Sequence, residues 1–377
     1  MPTADDDAAR TASGGGPGVR LVGVDATRGL AVLGMFTAHV GSAGTDFWSG
    51  TGWFQAADGR SAATFALLAG LSAALLSGGS APPPGRPRDP HDDAGSRAAW
   101  RFARVRILVR AALLLPIGAL LIALGTPVAV ILPAYAVMFA LLVPFLRVRP
   151  AWLLAVAGTV AVLGPPVALA GRAVLGDAGG LPQPVDLLVG EHYPVVVWFA
   201  YLLVGLAVGR QDLSSPTTTR RLAVVGAVAL ALGYGTAAAA MRALPADALV
   251  LRALLTSEPH ADTTPEVVGN VGVSLVALAA LLALGRRAPA LLTPLAATGA
   301  LALTAYVVHV VVIAALGDDA VWGPENTDLL AFVLVTLAAT TAWRAALGRG
   351  PLERLLHATS EAVARADADR MVVRPAR

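Results

Sequence analysis

The chain has 377 residues, 56% of them hydrophobic and only 14% charged, with a formal net charge of +3. A soluble domain carries about 25% charged residues, so a string of soluble domains is excluded and an integral membrane protein is indicated. Cysteine is absent, which removes disulfides, thiolate catalysis and Cys-ligated metals; all 28 basic residues are arginine, so no P-loop can form without its lysine.

Residues 1–20, "MPTADDDAARTASGGGPGVR", are acidic and then glycine-rich, and read as disordered. They do not read as a signal peptide, because the front is acidic and the apolar run behind it is as long as a full span. Ten apolar runs follow, at roughly 21–41, 60–78, 104–124, 127–146, 151–171, 193–210, 219–241, 266–285, 294–316 and 327–347. A span needs about 20 apolar residues. The run 244–256 is too short and contains Arg252, so it reads as interfacial or re-entrant; if it crosses, the spans number eleven.

The expected fold is therefore all-α. It is a polytopic helical bundle in one domain, residues 21–347, with a flexible proline-rich linker at 79–99 that carries His91 and a cytoplasmic tail at 348–377. No internal repeat is evident, which argues against a transporter built from inverted repeats.

Arginine placement orients the chain. Loops 79–103, 147–150, 211–218 and 286–293 with their flanks, and the tail, are arginine-rich, while the alternate loops hold acids such as Asp46, Asp58, Glu191, Asp262 and Asp318. The positive-inside rule puts both termini in the cytoplasm, with the basic face against anionic headgroups. Arginine in place of lysine, with heavy Ala and Gly usage, points to a GC-rich bacterial genome; the expected location of the multi-pass chain is the plasma membrane. No nucleic-acid motif is present.

Ionisable residues inside spans are costly and mark function. In "VDATRGLAVLGMFTAHV", residues 24–40, Arg28 and His39 are eleven residues apart. Eleven steps of about 100° return to nearly the same helix face, with a rise of about 16 Å. Asp25, one turn before Arg28, can pair with it. His309 sits in "LTAYVVHVVVIAAL", at a depth matching that of His39, with Thr304 and Tyr306 nearby. Asp58 and Arg60 lie at the outer mouth of the second span; Glu191 and His192 lie at that of the sixth. His260 and His357 fall in a loop and a tail and carry no expectation. "WRFARVRILVR" brings Arg101, Arg104, Arg106 and Arg110 to a helix entrance. Guanidinium binds phosphate bidentately, so such a cluster suits a phosphorylated ligand; its plainer reading is topology plus anionic lipid. No HExxH or GxSxG occurs, which turns the reading away from zincins and from serine hydrolases of that type, and no H-x4-D occurs, which turns it away from the soluble-headed glycerolipid acyltransferase type.

These stretches together resemble the transmembrane acyltransferase superfamily. Arg28 and His39 match the basic residue, ten intervening residues and histidine of acyltransferase family 3. "RFAR", Arg101 to Arg104, is similar to its RxxR, and "LTAYVVHVVV", with Tyr306 and His309, to its late Y-x-x-H helix. "DGRSAATFALLAGLSAALL", "EHYPVVVWFAYLLVGLAVGR", "ATGALALTAYVVH" and "GRGPLERLLH" look more like the YeiB-like and heparan-α-glucosaminide N-acetyltransferase-like branch. That branch expects a catalytic histidine in the loop after the first helix, whereas this chain has none between residues 40 and 59. The role then falls to His39, His192 or His309.

The resemblance implies an acyltransferase that uses acyl-CoA, most simply acetyl-CoA, and no metal. Arg101, Arg104, Arg106 and Arg110 would hold the anionic donor. Arg28 would contact its pantetheine or phosphate end, or lock the first helix through Asp25. His39 would act as general base, with His309 or Asp58 to orient it. Arg60, Glu191, His192 and Tyr306 would face a sugar, glycan or lipid-linked acceptor outside. Membrane lipids are the other partners, and a homodimer is open to it. The rival reading is a transporter or flippase whose buried Arg and His line the substrate path.

Overall fold

The computed structural model describes residues 21–82, 94–176 and 183–372. The stretch 1–20 and most of the 79–99 linker, His91 included, lie outside the described residues. Among the described residues the secondary structure is helical throughout. The main helices are α1 (Val22–Val40), α2 (Arg60–Leu76), α3 (Ala94–Ile122), α4 (Leu132–Leu142), α5 (Pro150–Leu175), α6 (Gln183–Val189), α7 (Val195–Val208), α8 (Pro216–Ala243), α9 (Leu249–Leu255), α10 (Thr264–Arg287), α11 (Thr293–Ala300), α12 (Ala302–Leu316), α13 (Asp319–Trp322), α14 (Asn326–Leu347) and α15 (Pro351–Val372).

Each of the ten apolar runs corresponds to one of these helices or, at 294–316, to the pair α11 and α12. Among the described residues, six helices are long and apolar enough to cross a membrane, and α11 with α12 would make a seventh span bent by 68°. α4, lengthened by a 3-10 turn to Arg147, and α7 are shorter apolar helices. The run 244–256 contains only the seven-residue α9, which is too short to span. Within the stretch read as a tail, α15 packs along α3.

The core sits where α1, α2, α7 and α10 meet. α7 is buried along almost its whole length, and α2 and α5 flank it. α1 is clamped between α10 and α11. The α1–α11 contact is close enough to dictate residue choice: a Cβ at Gly299 would lie 1.8 Å from the Asp25 carbonyl oxygen, and one at Gly29 would lie 2.0 Å from that of Leu295. Glycine at both positions lets the two backbones touch, as small residues do between membrane helices.

Thr263 caps the start of α10. Thr263 accepts from the Glu266 backbone N–H, and the Glu266 carboxylate turns back to accept the N–H groups of His260 and Asp262. This holds His260 and Asp262 in the left-handed region, at φ 60° and 54°, a conformation that otherwise favours glycine.

Candidate functional site

The break between α11 and α12 leaves carbonyls at one helix end and N–H groups at the next start without intrahelical partners. Arg28 and Glu353 satisfy them with matching charge. Arg28 Nη1 donates to the Gly299 carbonyl at 3.2 Å and to Asp25 Oδ1 at 2.9 Å, while Nη2 donates to Ser72 Oγ at 2.9 Å. Glu353 accepts the N–H groups of Leu303 and Thr304 at 2.8 and 3.0 Å and the Thr304 hydroxyl at 2.6 Å. A cation on a helix C-terminus and an anion on an N-terminus are each the favourable sign. The "GRGPLERLLH" stretch thus supplies the cap of the broken helix, and Arg28 ties α1, α2 and α11 together.

Arg28 and Glu353 also line a cavity of about 370 Å³, with Ser72, Arg110, Tyr135 and Phe139 among its walls. That is near the small end of ligand sites, about 300–1,000 Å³. Of the five arginines on α3, only Arg110 reaches it. Arg101 is ion-paired with Asp367, and Arg106 Nη2 lies 3.7 Å from Glu361 Oε1, both acids being on α15. Arg104 is exposed. Arg349, absent from the sequence expectations, lies close enough to Arg106 and Arg110 to act on both electrostatically. The arginine-rich mouth is therefore partly neutralised by the chain's own carboxylates. His357 sits in this field with Glu361 3.5 Å away; burial, then the positive charge of Arg349, lowers its pKa.

At the other end of α1 the second histidine arrives. His39 Nδ1 and His309 Nε2 are 3.0 Å apart, with rings stacked at 5.2 Å. Phe36 and Tyr306 flank His309 at 4.6 and 5.1 Å between ring centroids. A contact between two ring nitrogens requires one to donate and the other to accept, so both cannot carry a proton there. If His39 Nδ1 donates, its Nε2 keeps a free lone pair, and His309 fixes that tautomer. A second cavity, about 310 Å³, opens between α12 and α14 against His309 and is lined by Val308, Val312, Asp328 and Phe332.

Asp58 does not meet His309. Its Oδ1 lies 3.5 Å from His260 Nε2, and both groups act electrostatically on His39. Burial works against a charge on His260, but the Asp58 carboxylate, with Glu266 and Asp262 behind it, outweighs this and raises its pKa. Asp262 accepts the Trp198 indole N–H at 2.7 Å; burial, opposed by that bond, pushes its carboxyl up to about 7. His260 thus joins the site from a loop. Its signal in the sequence was the T-x-x-E cap immediately after it, which forces the loop inward.

The remaining expected residues divide. Tyr306 is buried beside His309. Arg60 lies 5.0 Å over the Tyr234 ring, and its Nη1 donates to the carbonyls of Gln55 and Asp58. Glu191 and His192 are exposed, while their neighbour Tyr193 is buried against Trp198. Among the described residues no cluster of three or more His, Asp or Glu side chains is arranged to hold a metal ion.

Two family models match the chain. One, described as heparan-alpha-glucosaminide N-acetyltransferase, catalytic, covers residues 20–243, more than half of the length. The other, described as a protein of unknown function, DUF418, covers residues 208–362. No curated protein matches the chain. The two matches bear out the heparan-acetyltransferase-like and YeiB-like resemblance.

Proposed function

Because the chain belongs to the heparan-alpha-glucosaminide N-acetyltransferase catalytic family, we propose that it is a membrane acyltransferase that takes an acyl group, in the simplest case acetyl, from acyl-CoA. The donor's thioester arm enters the cavity floored by Arg28 and Arg110, and its phosphates remain among the arginines at the mouth. The acceptor hydroxyl or amine approaches from the acidic end. His39 takes its proton as the oxygen or nitrogen attacks the thioester carbonyl. The C–S bond then breaks, and the CoA thiolate leaves and takes up the proton from His39.

The observation that carries this reading is the His39–His309 pair, 3.0 Å apart, set on the same face of α1 as Arg28 and about 16 Å further along it. A base oriented by a hydrogen-bonded partner is the arrangement general-base catalysis needs. The acceptor is a sugar, a glycan or a lipid-linked saccharide outside the cytoplasm; the second cavity against His309 gives it a way in.

The test is direct. Purified protein in nanodiscs is given acyl-labelled acetyl-CoA with amino sugars, neutral sugars and lipid-linked saccharides. Release of CoA with label in one acceptor is the expected result, and label left on histidine would reveal an acyl-enzyme route. No CoA binding, no thioester hydrolysis and no adduct would overturn the proposal. Movement of a saccharide across liposomes without CoA would replace it with the transporter.

A further inference from the structure

One residue in the wall of the cavity carries a buried polar atom for which the packing provides no partner. Tyr135, in the first turn of α4, lines the cavity, yet its side chain is 2% exposed and its hydroxyl makes no hydrogen bond among the described residues. Its ring sits between Phe65 on α2, at 5.9 Å, and Phe139, at 6.3 Å. Phe65 is seven residues along α2 from Ser72, the partner of Arg28, a rise of about 10 Å. Tyr135 therefore stands between the arginine floor and the level of His39.

A buried O–H without an acceptor costs free energy that phenylalanine would not. Buried polar groups are almost always bonded, so an orphan beside a cavity calls for a ligand acceptor. The surrounding Phe65, Leu114 and Phe139 offer none. Arginines for an anionic head, and a hydrogen-bond donor about 10 Å further in, suit the phosphates and the carbonyl-bearing arm of a CoA thioester.

We propose that the Tyr135 hydroxyl donates a hydrogen bond to a carbonyl of the acyl-CoA arm, either the thioester or a pantetheine amide, making Tyr135 a donor-binding residue of this site. The inference rests on the acyl-CoA reading above. It adds a residue on a helix that carries none of the sequence motifs, and it assigns a use to a group that folding alone leaves unsatisfied.

Tyr135→Phe removes the oxygen and keeps the ring. Binding of acetyl-CoA and of free CoA to full-length protein in nanodiscs is measured by calorimetry, with the thermal midpoint of the empty protein alongside. The expected result is acetyl-CoA binding weakened about tenfold, one hydrogen bond's worth, with a midpoint that does not fall. Weakening confined to acetyl-CoA assigns the thioester carbonyl; equal weakening of CoA assigns an amide. Unchanged binding of both overturns the proposal, as does a lowered midpoint in the empty protein, which would make the hydroxyl structural. Failure of the wild-type protein to bind either ligand refutes the acyl-CoA reading and this assignment with it. Wild-type binding with an indifferent Y135F refutes this assignment alone.

Discussion

His39 Nδ1 and His309 Nε2 sit 3.0 Å apart and join the first helix to the second half of the broken one across 270 residues of sequence. One proton serves both nitrogens, so the two rings act as a unit. His39→Ala and His309→Ala are each expected to lower kcat by about a hundredfold or more. The double variant should be little worse than the worse single one, since members of a catalytic unit are not additive. Steady-state CoA release with a saturating acceptor measures this. A His309→Ala enzyme with wild-type kcat would leave His39 working alone.

The α3 arginines are not equivalent. Arg110 lines the cavity with Arg28, while Arg104 is exposed. Arg110→Gln should raise KM for acyl-CoA about tenfold, the worth of one charge-assisted contact. Arg104→Gln should leave KM within about twofold, since an exposed charge contributes little. Initial rates across a donor titration separate the two variants; equal effects would move the donor to the outside of α3.

Glu353 holds three donors at the break between α11 and α12. Glu353→Ala leaves two backbone N–H groups and a hydroxyl without that acceptor, a loss of about 1–3 kcal/mol. The same change removes the anchor that α15 gives to α12, so the midpoint of unfolding in detergent should fall. Glu361→Ala, on the same helix but directed at Arg106, should not lower it comparably.

How much of this could be read from the chain depends on the kind of signal. Apolar runs announce helices because a bilayer demands length and hydropathy; nine of the ten expected runs hold one main helix, and the run 294–316 holds a bent pair. The Arg28–His39 stripe was legible because helix periodicity alone places both residues on one face. The partner of His39 was legible from depth. Asp58 was legible as a site residue but not its partner, because His260 arrives through a turn whose left-handed residues are set by Glu266. Arg210 read as topology, yet it is spent on the carbonyls of Ala74, Ser77, Gly79 and Leu146. Sequence reports a charge near a loop; only packing reports which carbonyls a helix end leaves open. Tyr135 carried no sequence signal, since one tyrosine in an apolar run looks like core.

The buried carboxyl in the His260 loop makes a pH prediction with a definite sign. Asp262 is pushed from its ordinary value of 3.8 up to about 7, by burial first, against the opposing Trp198 bond. The native state then holds a proton that the unfolded chain gives up, so this group's contribution to stability is fullest below about pH 4 and falls as pH rises toward 7. His260 is also raised and has the same sign, with its loss beginning above about 6.5. Asp262→Asn keeps an oxygen for the Trp198 N–H and removes the ionisation. The variant should match the wild type near pH 4 and exceed it by about 1–3 kcal/mol at pH 8. Unfolding in detergent from pH 4 to 8 measures both curves. Parallel curves would mean that Asp262 is ionised throughout, and the loop would then owe its inward position to Glu266 alone.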